Sequence, residues 1–342
     1  MIRVGPAGWS YPDSPGHVYP ANVPSRFDAL GFLAPYFDTV EINSTFYRPQ
    51  LARTYASWAK RVAVNPAFRF TVKLWQLFTH ETATTGGASP VATGGGGTGA
   101  WTADDVRMVT EGLEVLRGEG RLGALLAQFP WSFKPDPRGK ARLERLVETF
   151  RDWPLVVEVR HGRWNRADEL AFLRRLGVGF ANLDQPVIGD SLPPTTHATG
   201  ALGYVRFHGR NYEHWFGEHE TSAPDARRIG HDASDAPPAR SRPAASAAAQ
   251  RYDYLYTAAE LAPWVDRIKA LGATDGVGDV YVVTNNHFEG KGPANALMIR
   301  AMLEGRKVKA PPTLFGTYRA ALEPYAEPAE EPQPEAGDPS LF

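Results

Sequence analysis

The chain has 342 residues, of which 43% are hydrophobic and 22% are charged, the composition of a globular protein that buries a core. It contains no cysteine, which excludes disulfide bonds, zinc–thiolate sites, iron–sulfur clusters and thiol nucleophiles. The formal net charge is −1, but the segment from Glu323 to Phe342 carries six acidic residues and no basic one, so residues 1–322 carry +5. A mildly basic body permits an anionic partner.

No apolar run approaches the ~18 residues of a membrane span, so we expect no membrane partner. The segment Met1–Pro6 also lacks the basic flank and apolar core of a secretory signal. The expected location is therefore the cytoplasm.

Short apolar runs rich in β-branched residues alternate with stretches of helical period along the chain. The predicted strands are Ile2–Gly5, Thr39–Thr45, Phe68–Trp75, Leu122–Phe129, Leu155–His161, Val178–Asp184, Leu202–Gly209 and Asp279–Asn286. The predicted helices are Arg26–Tyr36, Thr54–Val64, Asp104–Arg117, Arg138–Phe150, Ala167–Leu176, Ala258–Leu271 and Pro293–Leu303. Eight alternating units predict an α/β fold, a single-domain (β/α)₈ TIM barrel with a closed parallel sheet.

Four segments depart from this alternation. Gln185–Gly200 has no helical period, so we expect one outer helix to be missing. Residues 82–100 are rich in Gly and Thr, and residues 221–250 mix Pro, Ala, Ser, Arg and Asp, so both are predicted to be flexible insertions. The barrel domain is predicted to occupy residues 1–308, followed by a Pro-rich acidic tail over 309–342.

Polar side chains recur with period two towards the ends of the predicted strands, where side chains of one parity share a face. Because the outer face of a barrel strand must seat helices, we expect the charged set to face inward at the C-terminal mouth. The predicted catalytic residues are Glu41, Lys73, Glu158 and His208. The predicted substrate-binding residues are Trp9, Tyr11, Asn43, Tyr47, Arg160, His161, Arg206, Arg210, Asn285 and Asn286.

These residue types allow several chemistries. Glu41 or Glu158 is expected to act as a general base and His208 as a general acid, with Lys73 and the arginines stabilising negative charge. Lys73, if desolvated, is alternatively a Schiff-base nucleophile. A divalent metal, Mg or Mn, is a further alternative, with ligands drawn from Glu41, Glu158, Asp184 and His208. A purely structural network would instead pair Glu41 with Lys73, and Glu158 with Arg160, Arg206 or both.

Ordered motifs along residues 4–304 carry a family likeness. They are GWSY at 8–11, VYP at 18–20, VEINSTFY at 40–47, FTVK at 70–73, TH at 79–80, LG at 122–123, QFP at 128–130, EVRH at 158–161, YVRFHG at 204–209 and NNH at 285–287. With these motifs the chain resembles the YecE-like family, also known as domain of unknown function 72. The resemblance implies a TIM barrel and implies no particular activity.

The C-terminus suggests a partner. Asp338-Pro339-Ser340-Leu341-Phe342 resembles the short tails that dock on the bacterial sliding clamp, with Ser340, Leu341 and Phe342 as the contacting residues. With the cationic mouth, this tail favours a hydrolase of phosphate-containing polymer, a nuclease or DNA-repair phosphodiesterase that binds nucleic acid. The alternatives are an isomerase, lyase or hydrolase of a small anionic sugar or sugar phosphate, and a non-catalytic binding module recruited by the clamp.

Overall fold

The computed structural model of the protein describes residues 1–24, 26–80, 101–212 and 251–330. Its eight-stranded sheet is parallel throughout. The strands are β1 (Ile2–Pro6), β2 (Thr39–Ile42), β3 (Arg69–Lys73), β4 (Leu122–Gln128), β5 (Leu155–Glu158), β6 (Gly179–Asp184), β7 (Leu202–Phe207) and β8 (Asp279–Thr284). The predicted (β/α)₈ barrel is confirmed, and each strand ends within three residues of its predicted C-terminal boundary.

Helices cover the outside of the sheet. They are α1 (Ala29–Leu33), α2 (Ala52–Arg61), α3 (Ala103–Gly118), α4 (Pro137–Thr149), α5 (Ala167–Leu176), α6 (Ala258–Gly272) and α7 (Lys291–Glu304). The connection between β6 and β7 contains no helix in residues 185–201, all of which are described, as predicted for the missing outer helix. Helices α3 and α6 each begin with a capping box, formed by Thr102 with Asp105 and by Thr257 with Glu260.

The barrel closes between β1 and β2, which are the first and last strands in the hydrogen-bonded order β1-β8-β7-β6-β5-β4-β3-β2. At this seam Ala7 bridges to Glu41, and the Gly8 amide donates to the Glu41 carbonyl at 2.8 Å. A Cβ on Gly5 would lie 1.7 Å from the Thr39 carbonyl oxygen, so only glycine allows the two strands to approach this closely. Closure therefore places the backbone of Glu41 at the rim of the barrel.

The described chain beyond residue 308, up to residue 330, packs against the barrel, although the sequence predicted a Pro-rich acidic tail over 309–342. It forms β9 (Val308–Ala310), α8 (Pro312–Thr317), α9 (Arg319–Leu322) and β10 (Ala326–Pro328), and β9 pairs in parallel with β10. Leu314 and Leu322 are fully buried in the same core cluster as residues of α7. The predicted boundary at 308 therefore divides a packed unit, and the described part of the barrel domain extends to about residue 328.

Some predicted features lie outside the described residues. They are the insertions at 82–100 and 221–250 and the contacting residues Ser340, Leu341 and Phe342. The chain enters and leaves the undescribed segment 213–250 at neighbouring points, because the Gly209 amide donates to the Tyr256 hydroxyl at 2.9 Å. None of the helices in the described ranges is long and apolar enough to cross a membrane.

Candidate active site

Arg206 on β7 lies at the centre of the barrel mouth and is fully buried. Its Nε and Nη2 donate to the two carboxylate oxygens of Glu41 at 3.0 and 2.6 Å, and its Nη1 donates to Glu158 at 2.5 Å. Since β7 pairs only with β6 and β8, these bonds to β2 and β5 cross the interior. The inward orientation predicted for these three side chains is therefore what the structure has.

Glu158 at the end of β5 is held by two arginines. Besides Arg206, Arg160 approaches the Glu158 Oε1 atom with Nε and Nη2, both at 3.0 Å. Burial alone would raise the pKa of Glu158, but the charges of Arg206 and Arg160 hold that pKa well below its usual range. Glu158 is therefore an ionised acceptor at neutral pH. Its pairing with both arginines matches the structural network considered from the sequence.

His208 follows β7 and is fully buried beside Glu158. Its Nε2 lies 3.5 Å from Glu158 Oε1, and its Nδ1 lies 3.1 Å from the Asn285 side-chain nitrogen. Burial lowers the pKa of His208 to about 3, so the ring is neutral at pH 7. A neutral buried imidazole is poorly suited to the predicted role of general acid. We name Glu41, Glu158, Arg160, Arg206 and His208 the mouth cluster.

Lys73 at the end of β3 makes no ion pair within 4.0 Å in the described part of the chain, because Arg206 occupies the Glu41 carboxylate. The Glu41–Lys73 pair considered from the sequence is therefore not formed. The Lys73 amine lies 4.3 Å from the centroid of the Phe46 ring, and the side chain is half-buried. Burial first, and then the charge of Arg206, lowers the pKa of Lys73 to about 8. Roughly a tenth of such amines are uncharged at pH 7, far more than for an ordinary lysine.

Aromatic and amide side chains follow β1 and β2 on one side of this mouth. The Tyr11 hydroxyl donates to the Ala7 carbonyl at 2.6 Å and accepts from Asn43 at 3.4 Å, and the Tyr11 ring stacks on His287 at 4.0 Å. Tyr47 packs edge-on against Phe46. Trp9 instead packs edge-on against Trp58 of α2, which directs part of its surface towards the helices.

Three predicted substrate-binding residues have their contacts elsewhere. Arg210 donates to both oxygens of Asp184 at 2.9 and 2.6 Å, beside α6. His161 accepts from the Arg163 amide at 3.2 Å and packs against Trp131, on the opposite strand parity from Arg160. Asn286 donates to Tyr254 and to Asn295 of α7. His161 and Asn286 have the outward-facing parity of their strands, whereas Asn285 has the inward parity and reaches His208. Arg210 has the parity of Arg206, but it lies past the end of β7 and follows Gly209, whose φ of 89° turns the chain out of the strand conformation.

Asp184 also faces outward, contrary to the expected inward ligand set. Its carboxylate accepts from Tyr256 at 2.6 Å and from Trp264 of α6 at 2.5 Å, in addition to Arg210. Arg210 further contacts Glu260 at 3.4 Å. We name Asp184, Arg210, Tyr256, Glu260 and Trp264 the outer cluster.

The donor set at the mouth does not fit the divalent metal that the sequence left as an alternative. Glu41 and Glu158 already accept from guanidinium groups, and a cation between them would lie beside Arg206. Asp184 is committed to the outer cluster. In the four described ranges no three His, Asp or Glu side chains gather as a metal-binding group. We therefore derive no step through Mg or Mn.

His80 lies at the mouth and is absent from the site residues predicted from the sequence. It follows a short 3-10 turn, Gln76–Phe78, after β3, and its ring packs edge-on against Phe46 at 5.2 Å. Burial first, and then the charge of Lys73, lowers the pKa of His80 to about 4. Its position just past a strand end was the signal that could have selected it.

Comparison with known proteins places the chain in a family. The family described as "Protein of unknown function DUF72" matches residues 3–315. The UPF0759 protein YunF of Bacillus subtilis is 26% identical over 314 residues, covering 89% of this chain and 95% of that protein. The crystal structure of a DUF72 family protein from Thermotoga maritima aligns with a TM-score of 0.65 at 30% identity, covering 89% of this chain and 99% of that one.

A second solved DUF72 family protein, from Enterococcus faecalis, aligns with a TM-score of 0.65 at 22% identity, covering 89% of this chain and 96% of that chain. At this identity the likeness supports the fold alone. The match over residues 3–315 shows the family, and the chain belongs to DUF72, the YecE-like family expected from its motifs.

Proposed function

For this DUF72 member we propose an enzyme that acts on a small anionic carbonyl compound, such as a sugar phosphate, with Lys73 as the amine nucleophile. The observation that carries the proposal is the Lys73 amine itself. It lies at the C-terminal end of a barrel strand, where barrel enzymes hold their chemistry, without an ion-pair partner in the described chain and with its pKa lowered to about 8. This develops the small-molecule alternative drawn from the sequence.

The reaction follows from the amine. Its lone pair forms a C–N bond with the substrate carbonyl carbon, the two amine hydrogens pass in turn to the carbonyl oxygen, and that oxygen leaves as water to give an imine. Protonation of that nitrogen makes the adjacent carbon acidic or its C–C bond weak. An isomerase or a lyase uses such an intermediate.

The charge of the mouth supports an anionic substrate. Two carboxylates, Glu41 and Glu158, lie among three cations, Arg160, Arg206 and Lys73, which leaves one positive charge in excess. Arg160 uses Nε and Nη2 for Glu158, while its Nη1 makes no hydrogen bond within the described residues. A guanidinium edge of this kind, 15% exposed, suits a phosphate or carboxylate oxygen.

Phosphodiester cleavage, the first expectation from the sequence, draws less support from this geometry. It needs a carboxylate base or a metal, and both carboxylates accept from Arg206. It also needs a proton donor, and His208 is neutral. Incubation with labelled single-stranded and duplex DNA, with and without Mg²⁺ or Mn²⁺, tests it directly, because salt-dependent binding with cleavage would revive that expectation.

Borohydride trapping tests the proposal. The protein is incubated with triose, pentose and hexose phosphates, with pyruvate, or with the uncharged aldehydes of matching length, and is reduced and mapped by mass spectrometry. We expect an adduct on Lys73 with one or more anionic carbonyls, and none in Lys73→Met. Lys60→Met, on the exposed face of α2, is the matched control and should retain the adduct. Adducts spread over surface lysines, or none at all, would overturn the proposal.

A further inference from the structure

Phe46 brings two functional groups to the same place in the mouth. The Lys73 amine lies 4.3 Å from the ring centroid, and the His80 ring meets the same ring edge-on with centroids 5.2 Å apart. The charge of Lys73 is the largest electrostatic influence on His80, followed by that of Arg160 and that of Arg142. The imidazole therefore neighbours the proposed nucleophile and the proposed anion-binding arginine.

The neighbouring threonine fixes the protonation of this imidazole. Thr79 is fully buried, and within the described residues its hydroxyl has one side-chain hydrogen-bond partner, His80 Nδ1, at 2.9 Å. A buried hydroxyl that fails to donate is costly, so its hydrogen points to Nδ1. The neutral ring then carries its own hydrogen on Nε2.

The backbone holds this arrangement in place. The amides of Thr79 and His80 both donate to the Gln76 carbonyl, at 3.0 and 2.7 Å. The Thr79 side chain is thereby presented to the His80 ring at the exit of the turn. The backbone bonds and the Thr79 contact thus hold the His80 ring, and with it the Nε2–H donor, in one orientation.

We propose that His80 is a second catalytic residue, whose Nε2–H donates to the oxygen of the carbonyl that Lys73 attacks. The inference rests on the proposed function. As the Lys73 nitrogen bonds to the carbonyl carbon, the electron pair of the C=O bond moves to oxygen, which then takes the two amine hydrogens in turn and leaves as water. The Nε2–H hydrogen bond stabilises the negative charge that develops on that oxygen, while His80 keeps its proton.

The test compares rates of imine formation by borohydride trapping with pyridoxal phosphate, an anionic aldehyde, at pH 7. We expect His80→Leu to slow labelling of Lys73 about a hundredfold, the usual effect of removing one such donor. His80→Gln, whose amide nitrogen can replace Nε2, should stay within about tenfold of the parent protein. Thr79→Val removes the hydroxyl that fixes the tautomer of His80, so its rate of Lys73 labelling should lie between the rates of the two His80 variants.

The outcomes separate the two proposals. If the parent protein is not labelled at Lys73, the proposed function fails. If it is labelled and His80→Leu reacts at the same rate, only the role of His80 fails. Nitrogen NMR of the parent protein gives an independent reading, since a hydrogen on Nδ1 at pH 7 would overturn the assignment whatever the folding of the variants. The pH midpoint of Lys73 labelling should remain near 8 in His80→Leu, because a neutral group was removed.

Discussion

The mouth cluster and the outer cluster use the same chemistry on opposite faces of the sheet. In each, a fully buried carboxylate accepts two hydrogen bonds from one arginine. Glu41 accepts them from Arg206 inside the barrel, and Asp184 accepts them from Arg210 outside it. The outer carboxylate also receives the Tyr256 hydroxyl and the Trp264 indole. Its acceptor capacity is used by its own chain, as expected of a group that ties a helix to a strand.

The mouth cluster differs in what it leaves unused. Arg160 keeps one guanidinium nitrogen without a hydrogen bond in the described chain, and the amine of Lys73, which lies beside the cluster, has no ion pair there. Buried charge is costly in both places, but only the inner set retains donors and a nucleophile for a guest. The comparison shows that a binding site differs from a structural ion-pair network in the hydrogen-bond donors and nucleophiles that it leaves unpaired. The number of charges alone does not distinguish the two.

Removing the central arginine should have the largest effect. Arg206→Met leaves Glu41 and Glu158 without this partner in the interior, and we expect the free energy of unfolding to fall by about 3–5 kcal/mol in urea titrations. Adding Glu41→Gln to Arg206→Met should restore part of the loss, because one stranded charge is gone. A double variant no more stable than Arg206→Met would contradict the stranded-charge explanation.

The corresponding change outside the barrel should cost less. Asp184→Asn removes the charge shared with Arg210, whose side chain is 30% exposed and can be solvated, and we expect a loss of about 2–3 kcal/mol in the same titration. Borohydride labelling of Lys73 should be unchanged. A large drop in that labelling would show that the two clusters are coupled, and the comparison would break.

Acid should destabilise the mouth through His208. The native ring has a pKa of about 3, against 6.5 for the unfolded chain, so between these values the unfolded state binds more protons. The free energy of unfolding therefore falls as the pH is lowered below 6.5, by roughly 2 kcal/mol at pH 5. Glu158, whose native pKa is also lowered, adds to the loss only below about pH 4.5.

Two variants check this assignment. His208→Asn should reduce the slope of the stability profile between pH 6.5 and pH 5 without removing it, because His80 and His287, whose pKa values are lowered to about 4, lose stability over the same range. Asp184→Asn should leave the slope unchanged. An unaltered slope in His208→Asn would assign the acid sensitivity to other imidazoles, of which His287, with its pKa lowered by burial to about 4, is the first to examine.

The smallest effect is expected at the long insertion. A Cβ on Gly209, which has a φ of 89°, would lie 2.9 Å from Tyr254 Cβ and 3.7 Å from the Arg251 carbonyl oxygen. Since the two stems meet, replacing the 38 residues 213–250 by a Gly-Ser linker of half that length should raise the free energy of unfolding by only about 0.6 kcal/mol. A loss of several kcal/mol would mean that the replaced segment packs on the barrel.

Much of the fold was readable from the sequence because strand and helix periods are strong signals. The helix Ala167–Leu176 was predicted to the residue, and it ends at Gly177 in the left-handed conformation. The elements after residue 308 were missed because three-residue strands and one-turn helices have no period to detect. The Pro-rich composition there also resembled that of a solvated tail.

The site was predicted less evenly. Alternation shows which residues of a strand share a face, but in β6 every residue is buried, so the pattern could not show that Asp184 faces the helices. The sequence also could not show which cation pairs with Glu41. Arg206 and Lys73 both have long side chains and were both expected at the same mouth. Only the geometry across the interior assigned Glu41 to the arginine and left the amine uncommitted.

The hydrogen bonds across the interior of the barrel also determine when the site forms during folding. Tyr204 and Arg206 reach Glu41 over separations of 163 and 165 residues, so these contacts exist only after the sheet has curled round and sealed. Before that moment the charge of Arg206, which contributes to the lowered pKa of Lys73, is not held beside the amine. The rate at which Lys73 reacts at neutral pH can therefore report when the barrel closes during folding. This measurement needs no fluorescent label.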